Sequence, residues 1–399
     1  MNRDDFEILK SSIVYFDNGA TTLKPKCVID SMIDYYTNYP SNAHRGDYKI
    51  SLKASSEYEL SREKLKNFIN AETKEEIVFT SGCTESLNMI INGYFKNILK
   101  ENDEVLITKA EHASNILPWY ELENEIGIKV NYIPLTKDHT VTIENVKNSI
   151  TDKTKVISIA HVSNVIGDVR PLKEIISYAH EKGILVVVDA AQSLGHINVD
   201  VKDLDIDFMA MSAHKMCGPT GVGAIYGKYD LLDKIKPYKY GGGMNVAFTS
   251  PKDITYMDLP YKLEAGTQNI QGVIGFGKAI DYINEVGIDN IEEYTISLKK
   301  YLTDKLKEVK NINIYNGNIE GSTLTFNIDK IFAQDTAIYL DKYNICVRSG
   351  EHCARKLDDE IGIKNTVRIS LYFYNTKEDI DKLVNALKND NILQESLGI

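Results

Sequence analysis

Cysteine is scarce in this chain, with five among 399 residues, at positions 27, 83, 217, 346 and 353. The number is odd, the spacing is wide, and neither a CxxC pair nor zinc-ligand spacing occurs. A disulfide framework is therefore not expected, and any special thiol has to be argued on its own surroundings. Long apolar runs are missing too, since none approaches the roughly 20 residues that span a bilayer. The opening residues, Met1 to Glu7, are acidic and lack an apolar h-region. They predict no secretory signal and a soluble, cytoplasmic protein. Positive charge is the third shortage. Lys and Arg number 46 against 57 Asp and Glu, a formal net charge of −11, and the Lys residues are scattered among acids. Nucleic acid and anionic membrane surfaces are thus not expected partners, because both demand clustered Lys and Arg. No GxGxxG or Walker loop, internal repeat or low-complexity stretch stands out.

What is present is a regular alternation. A chain of this length implies two domains, and an apolar content of 43% is ample for burial. From Glu76 to Tyr226, β-rich runs alternate with helical stretches such as 86–98 and 172–180. The runs at 77–79, 104–107, 130–133, 156–159, 184–188, 208–211 and 223–226 read as seven strands. That pattern predicts an α/β fold with a mostly parallel seven-stranded sheet and ligands collecting at the carboxyl ends of its strands. After Gly241-Gly242-Gly243 an irregular stretch runs to Gln268. Helices at 272–285, 291–309, 334–342 and 377–388, with strands at 322–328 and 366–370, then form a smaller α+β domain. The expected division is residues 1–20 packing on the small domain, 21–267 as the large domain and 268–399 as the small one.

The chemistry concentrates at strand ends. The run Gly183 to Val188 ends in Asp189-Ala190-Ala191-Gln192, and Ser212-Ala213-His214-Lys215 follows one helix and strand later. Pyridoxal phosphate (PLP) needs that pairing, a carboxylate holding its ring nitrogen protonated and a lysine joined to its aldehyde. Thr80 to Glu85 links a strand to a helix with small and hydroxyl residues, which suits a phosphate at the helix N-terminus. Thr84, Ser212 and His214 would share that phosphate. His112, at the end of another strand, is placed to stack on a pyridine ring and exchange protons near neutrality. Asn164 and Gln192 are candidates for the ring hydroxyl, and Asn164 also for a substrate carboxylate. Near the other end, Cys353 lies in the polar loop Val347 to Arg355. Arg348, His352, Arg355 and Lys356 there would favour a thiolate, while Glu351 opposes it. Arg368 could hold an amino-acid carboxylate bidentately. Taken singly, each has an ordinary structural explanation: a buried strand end, an N-cap, a surface histidine, an inert thiol, an ion pair.

In order along the chain, these segments join Tyr15 to Thr22, Glu111 to Trp119, His161 to Gly167, Ser212 to Pro219, Glu264 to Thr267, Arg348 to Ala354 and Arg368 to Thr376. Together they resemble the SufS-like cysteine desulfurases of the class V aminotransferase group, fold-type I PLP enzymes, from about Ile13 to Thr376. The resemblance implies that Lys215 carries the cofactor, Asp189 holds its ring nitrogen, His112 stacks on the ring and Gln192 contacts its hydroxyl. It places Cys83, Thr84, Ser212 and His214 at the phosphate. Thr267 would reach the phosphate of a neighbouring subunit, which implies a homodimer with composite sites. Arg368, with Asn164, Arg45 and Arg348, would hold the carboxylate of L-cysteine. Cys353 would accept its sulfur as a persulfide, for delivery to a SufE- or SufU-type acceptor in iron–sulfur cluster assembly.

Several residues depart from that pattern, Gln268 in place of Pro after Thr267 being the least of them. Cys83 stands where a second Thr is usual, Tyr48 where His is frequent, Glu351 before His352, and Lys356 in a segment that commonly holds Pro. Other readings keep the fold and change the reaction, to a selenocysteine lyase, a cysteine sulfinate desulfinase, or another class V lyase or transaminase. A non-catalytic scaffold is a further reading. Cys353 in its loop favours sulfur transfer, and intact Lys215, Asp189 and Cys353 weigh against the scaffold.

Overall fold

The computed structural model describes residues 3–389, so residues 1–2 and 390–399 of the predicted terminal segments lie outside it. A two-residue strand, β1 (Val14–Tyr15), precedes two helices, α1 (Lys26–Asn38) and α2 (Lys49–Phe68). The seven predicted strands then follow, each within two residues of its expected limits. They are β2 (Ile77–Thr80), β3 (Glu104–Thr108), β4 (Lys129–Ile133), β5 (Thr154–Ala160), β6 (Leu185–Asp189), β7 (Phe208–Ser212) and β8 (Gly223–Gly227). They form one sheet in the order β2-β8-β7-β6-β5-β3-β4. β8 runs antiparallel to both neighbours, and every other pairing is parallel.

Helices α3 (Cys83–Gly93), α4 (Leu117–Ile126), α5 (Ile143–Ser149), α6 (Leu172–Glu181) and the short α7 (Tyr229–Leu232) fill the connections. The alternation of strand side chains decides which helices cover which face. Val186, Val188, Met209 and Met211 share a core with Val28 of α1, Tyr58 and Leu65 of α2, and Ile176 of α6. Val187, Phe208 and Ala210 point the other way, into a core with Leu87 and Ile90 of α3 and Trp119 and Leu122 of α4. The result is a sheet between two helical layers, with its inner parallel strands buried on both faces and the edge strand β4 partly exposed.

The stretch expected to be irregular contains an antiparallel hairpin, β9 (Asn245–Ser250) and β10 (Asp253–Tyr256). Val246 and Phe248 on it are exposed, so it forms without a core of its own. Helix α8 (Ile270–Val286) follows, and Val273, Ile274, Phe276 and Ile280 bury into the core shared with α1 and α2. Contact there is close: a Cβ at Gly277 would lie 2.4 Å from Ser61 Oγ. On this packing we infer that the domain boundary falls after α8, near Gly287, whereas the sequence division at 267/268 cuts ahead of that helix.

The smaller core begins with Leu298, Leu302 and Leu306 of α9 (Ile288–Leu306). It continues through β11 (Ile312–Ile314), β12 (Thr323–Ile328), α10 (Ala333–Asp341), β13 (Ile345–Cys346), β14 (Arg348–Gly350), α11 (Arg355–Ile361), β15 (Thr366–Ser370) and α12 (Lys377–Leu387). Four of these strands make an antiparallel sheet in the order β11-β12-β15-β14. The N-terminal segment joins it, for β1 pairs in parallel with β13 and Val14 and Phe16 enter the same core.

A buried ion pair ties the segment before α8 to the large sheet. Arg62 donates to both oxygens of Glu264, at 2.7 and 3.0 Å, and Glu264 also accepts from Phe79 N and Tyr58 Oη. Neither side chain is exposed beyond 3%. Removing one partner strands the other charge in the interior, which costs about 3–5 kcal/mol. Arg62→Met should therefore lower the urea midpoint by that equivalent, and adding Glu264→Gln should recover part of it. Equal midpoints for the single variant and the wild type would refute the assignment.

Candidate active site

The parallel pairing of β6 with β7 sets Asp189 opposite Ala210, and a short helical turn, Ala213–Lys215, continues from the end of β7. Both ends open into a cavity of about 230 Å³ between the sheet's carboxyl edge and the small domain. Twelve of the fourteen residues singled out from the sequence line it. The large domain contributes Asp189, Gln192, Ser212, His214 and Lys215, together with Cys83, Thr84, His112 and Asn164. Arg348, Cys353 and Arg368 come from the small domain. The other two lie elsewhere in the chain. Arg45 is exposed beside Gly243, and Thr267 is exposed with its Oγ1 3.2 Å from Asn42 Nδ2.

Lys215 is a half-buried cation of the cavity, which the buried Arg368 also lines. Among the described residues its Nζ makes no hydrogen bond or ion pair, and burial pushes its pKa below the usual lysine value. Asp189 and Cys83 oppose that shift, while Arg368 and Arg348 add to it. A shift in that direction makes the uncharged, nucleophilic amine more accessible. Asp189 is buried, and its Oδ1 accepts from Ala191 N at 2.9 Å and Cys83 Sγ at 3.2 Å.

The first turn of α3 faces the same space. Its N-cap, Gly82, has φ 151°, and a Cβ at Gly223 on the adjoining strand would lie 2.6 Å from Gly82 Cα. Two glycines thus let the loop seat tightly against β8. Cys83 N donates to Ser212 Oγ at 2.8 Å, and Thr84 Oγ1 is 2.8 Å from Ser114 Oγ. Hydroxyls, first-turn amides and the positive helix end converge there, as an anion requires. His214 is held down to about 4, chiefly by burial and then by Lys215 and Lys24. Its carbonyl accepts from Thr22 N at 2.9 Å, anchoring the lysine turn to the N-terminal segment.

His112 is likewise held down to about 4, by burial first and then by the Lys215 charge. Its Nδ1 accepts from Ser114 N at 3.1 Å, so the neutral ring carries its proton on Nε2. The loop behind it is rigid. Glu111, fully buried, accepts from Thr108 Oγ1, Asn115 Nδ2 and Ala160 N, and pairs with the buried Arg170. Gln192 Nε2 donates to Gly19 O at 2.9 Å.

Across the cavity, β14 and β15 place Arg348 directly opposite Arg368. Like charges in register repel, and one acid offsets them: Arg368 Nη2 donates to Asp17 Oδ1 at 3.1 Å. Burial lowers the Arg368 pKa, with Asp17 opposing and Arg348 assisting. The pair of guanidiniums therefore retains surplus positive charge suited to a carboxylate. Asn164 is engaged as a brace, its carbonyl accepting from Arg368 Nη1 at 3.0 Å and its Nδ2 donating to His352 O at 2.8 Å.

Cys353 is exposed at the cavity rim, and its carbonyl accepts from Ala113 N at 2.8 Å. Of the four cations near it in sequence, Arg348 alone bonds its sulfur, Nη2 lying 3.8 Å from Sγ. His352 turns away, its Nε2 2.9 Å from Thr366 Oγ1, and burial holds it down to about 3 and so uncharged. Arg355 is 80% exposed beside Glu351, and Lys356 is exposed. The expected cluster of charges around the thiol thus reduces to one guanidinium. Sequence reasoning gave no role to Ser114, which joins His112 to Thr84, or to Asp17. Only their nearness to quoted motifs could have signalled them.

The pattern of the class-V aminotransferases matches residues 14–383. The chain belongs to that family. A Halalkalibacterium halodurans protein named "probable cysteine desulfurase" is 44% identical over 96% of this chain and 94% of its own length. A cysteine desulfurase of Haloferax volcanii is 41% identical over 94% of this chain and 88% of its own. Among solved structures, the apo cysteine desulfurase of Thermococcus onnurineus is similar with a TM-score of 0.93 and 35% identity, covering 100% of this chain and 98% of that one. PLP is the cofactor of the class-V aminotransferases, and these residues fit it. A half-buried lysine without a hydrogen-bond partner, a carboxylate with one oxygen left open and an anion cradle on a helix N-terminus stand around one cavity.

Histidine burial has a consequence for stability. His112, His214, His161 and His196 are held down to about 4 and His352 to about 3, against 6.5 in an unfolded chain. Between about pH 4 and 6.5 the unfolded state binds more protons, so stability rises with pH across that window. The urea midpoint should fall steadily as pH drops from 7 to 4.5, and a flat profile would contradict this account.

Proposed function

We propose that this protein is a PLP-dependent cysteine desulfurase that converts L-cysteine to L-alanine and leaves the sulfur as a persulfide on Cys353. The observation that carries this reading is a rim thiol, bonded by Arg348, on the same cavity as Lys215 and Asp189. When bound, PLP supplies an electron sink for the substrate Cα.

This chain's residues then have separable tasks. Lys215 would hold the cofactor and, once its amine is released, accept the Cα proton, a role its depressed pKa suits. Asp189 would hold the ring nitrogen, and His112 would lie on the ring in its neutral form. Gln192 would contact the ring hydroxyl, and Thr84, Ser212, His214 and the α3 amides would hold the phosphate. Arg368, fixed by Asp17 and Asn164, would take the substrate carboxylate, with Arg348 shared between carboxylate and sulfur. The Cys353 thiolate attacks the substrate sulfur, forming an S–S bond as the Cβ–S bond breaks. Its electron pair remains with the carbon skeleton, and protonation there closes alanine, so sulfur is oxidised as carbon is reduced.

Exposure of Cys353 suits transfer of the persulfide sulfur onward, and we assign that step to an acceptor of SufE or SufU type serving iron–sulfur cluster assembly. Thr267 and Arg45 lie away from their own cavity, and we assign them to the site of a second copy in a homodimer. Among the described residues no helix is long and apolar enough to cross a membrane. We place the enzyme in the cytoplasm.

Incubation with L-cysteine should yield alanine, with one added sulfur located on Cys353 by mass spectrometry. Cys353→Ala should abolish sulfur transfer, and Lys215→Ala should lower alanine formation by ~10²–10⁴-fold or more. Alanine release at the wild-type rate from Cys353→Ala, or faster turnover of selenocysteine or of alanine with a keto acid, would replace this reading with another reaction of the family.

A further inference from the structure

Two thiols line the Lys215 cavity, and the reaction proposed above uses only one. Cys353 is exposed, whereas Cys83 is buried in the first turn of α3. Cys83 is bonded at both its ends. The backbone N–H donates to Ser212 Oγ at 2.8 Å, and Sγ donates to Asp189 Oδ1 at 3.2 Å. Burial first, and then the Asp189 carboxylate, push this thiol well above its usual pKa. It stays protonated, a hydrogen-bond donor and a poor nucleophile. Oδ1 of Asp189 takes the Ala191 N–H as well. Among the described residues no protein donor reaches Oδ2, which leaves that oxygen for a ligand.

We propose that Cys83 is a positioning residue for the cofactor, whose S–H bond fixes the Asp189 carboxylate and sets how firmly Oδ2 holds the ring-nitrogen proton. The inference rests on the reading that PLP occupies this site. A thiol is a weak donor, and a hydroxyl in its place would be a shorter, stronger one. Substitution at 83 should therefore move the carboxylate's basicity in a known direction. Without the donor, Asp189 becomes more basic and keeps the ring nitrogen more fully protonated. That withdraws electrons from the far side of the ring and lowers the pKa of the Lys215 linkage. A serine hydroxyl should do the reverse.

The surrounding charges leave the titration readable. Asp189 and Cys83 face Lys215 from β6 and α3, and Arg348 and Arg368 face it from the small sheet. Arg170 lies behind Asp189 and is paired with Glu111. His112, His214 and His196, which also sense Lys215, are held down to about 4 and remain neutral above pH 6.

The test is a pH titration of the visible absorbance band of the PLP-loaded protein, without substrate, in the wild type and in Cys83→Ala, Cys83→Ser and Cys83→Thr. The midpoint should fall in the alanine variant and rise in the serine variant, each by about half a pH unit, the scale of one modest hydrogen bond. Threonine should follow serine. A purely structural role would move both variants the same way or neither, and either result overturns the proposal. Absence of the band in the wild type would overturn the PLP reading and this inference together, whereas a normal band with unmoved midpoints sinks this one alone. Sulfur found on Cys83 after incubation with L-cysteine would also refute its role as donor only.

Discussion

An amine drawn partly out of water without a hydrogen-bond partner is expensive to keep charged, and Lys215, half-buried at the carboxyl end of the sheet, occupies such a position. The groups around it follow from that constraint. Two arginines and the lysine share a small volume, so the three histidines of the cavity cannot also be cationic, and burial holds each of them neutral. Among the described residues, the protein's own counter-charges there are Asp189 and Asp17. What is left is a positive balance divided between two ends of one cavity. One end lies at the amide turn of α3 and the other at the Arg348–Arg368 pair. A ligand with a phosphate and a second ligand with a carboxylate satisfy both, which is the charge pattern of PLP with an amino acid.

Holding those two ends at a fixed separation requires the domains to be tied together, and the N-terminal segment does much of that work. Within nine residues it pairs β1 with β13, gives Asp17 to Arg368, offers the Gly19 carbonyl to Gln192, and sends Thr22 N to the His214 carbonyl. It thereby links the strand pair that carries the arginines to the turn that carries the lysine. The Cys loop is tied from the other side, by Ala113 N to the Cys353 carbonyl and by Asn164 to the His352 carbonyl. Both anchors come from loops that follow sheet strands, and the Glu111–Arg170 pair stiffens the one that also holds His112. The cofactor face and the thiol are in this way referred to one rigid edge.

How much of this the sequence revealed depended on whether the cause was local. Runs such as Val186-Val187-Val188 are buried on both faces, so their strand character did not depend on a partner and was legible. The β9–β10 hairpin was not, because its apolar residues are exposed and provide no buried alternation to read. Helix α8 was found, but its allegiance was not, since a helical period reports an apolar face and not which core receives it. Lysine, aspartate and cysteine stood out because their chemistry needs particular neighbours in order along the chain. The thiol's surroundings were misjudged for the opposite reason. Nearness in sequence made His352 and Arg355 look like its counter-charges, yet two successive left-handed residues, His352 and Cys353 at φ 52° and 58°, turn the loop so that one faces Thr366 and the other faces water.

Those left-handed residues also explain why one thiol is suited to carry sulfur and the other is not. Non-glycine residues at positive φ are strained, and a pair of them persists only where the surroundings hold them. Here the two carbonyls are each captured by a donor from the large domain, so the strain is met by bonds that also fix where Sγ sits. The backbone is pinned while the side chain stays exposed, leaving the sulfur open both to the cavity and to an acceptor outside. Cys83 has the converse arrangement, with its side chain buried and bonded to Asp189. Burial beside a carboxylate suppresses the Cys83 thiolate and leaves that group a donor, whereas Cys353 stands exposed at the rim within reach of Arg348, so surroundings alone set apart two chemically identical groups around one cavity.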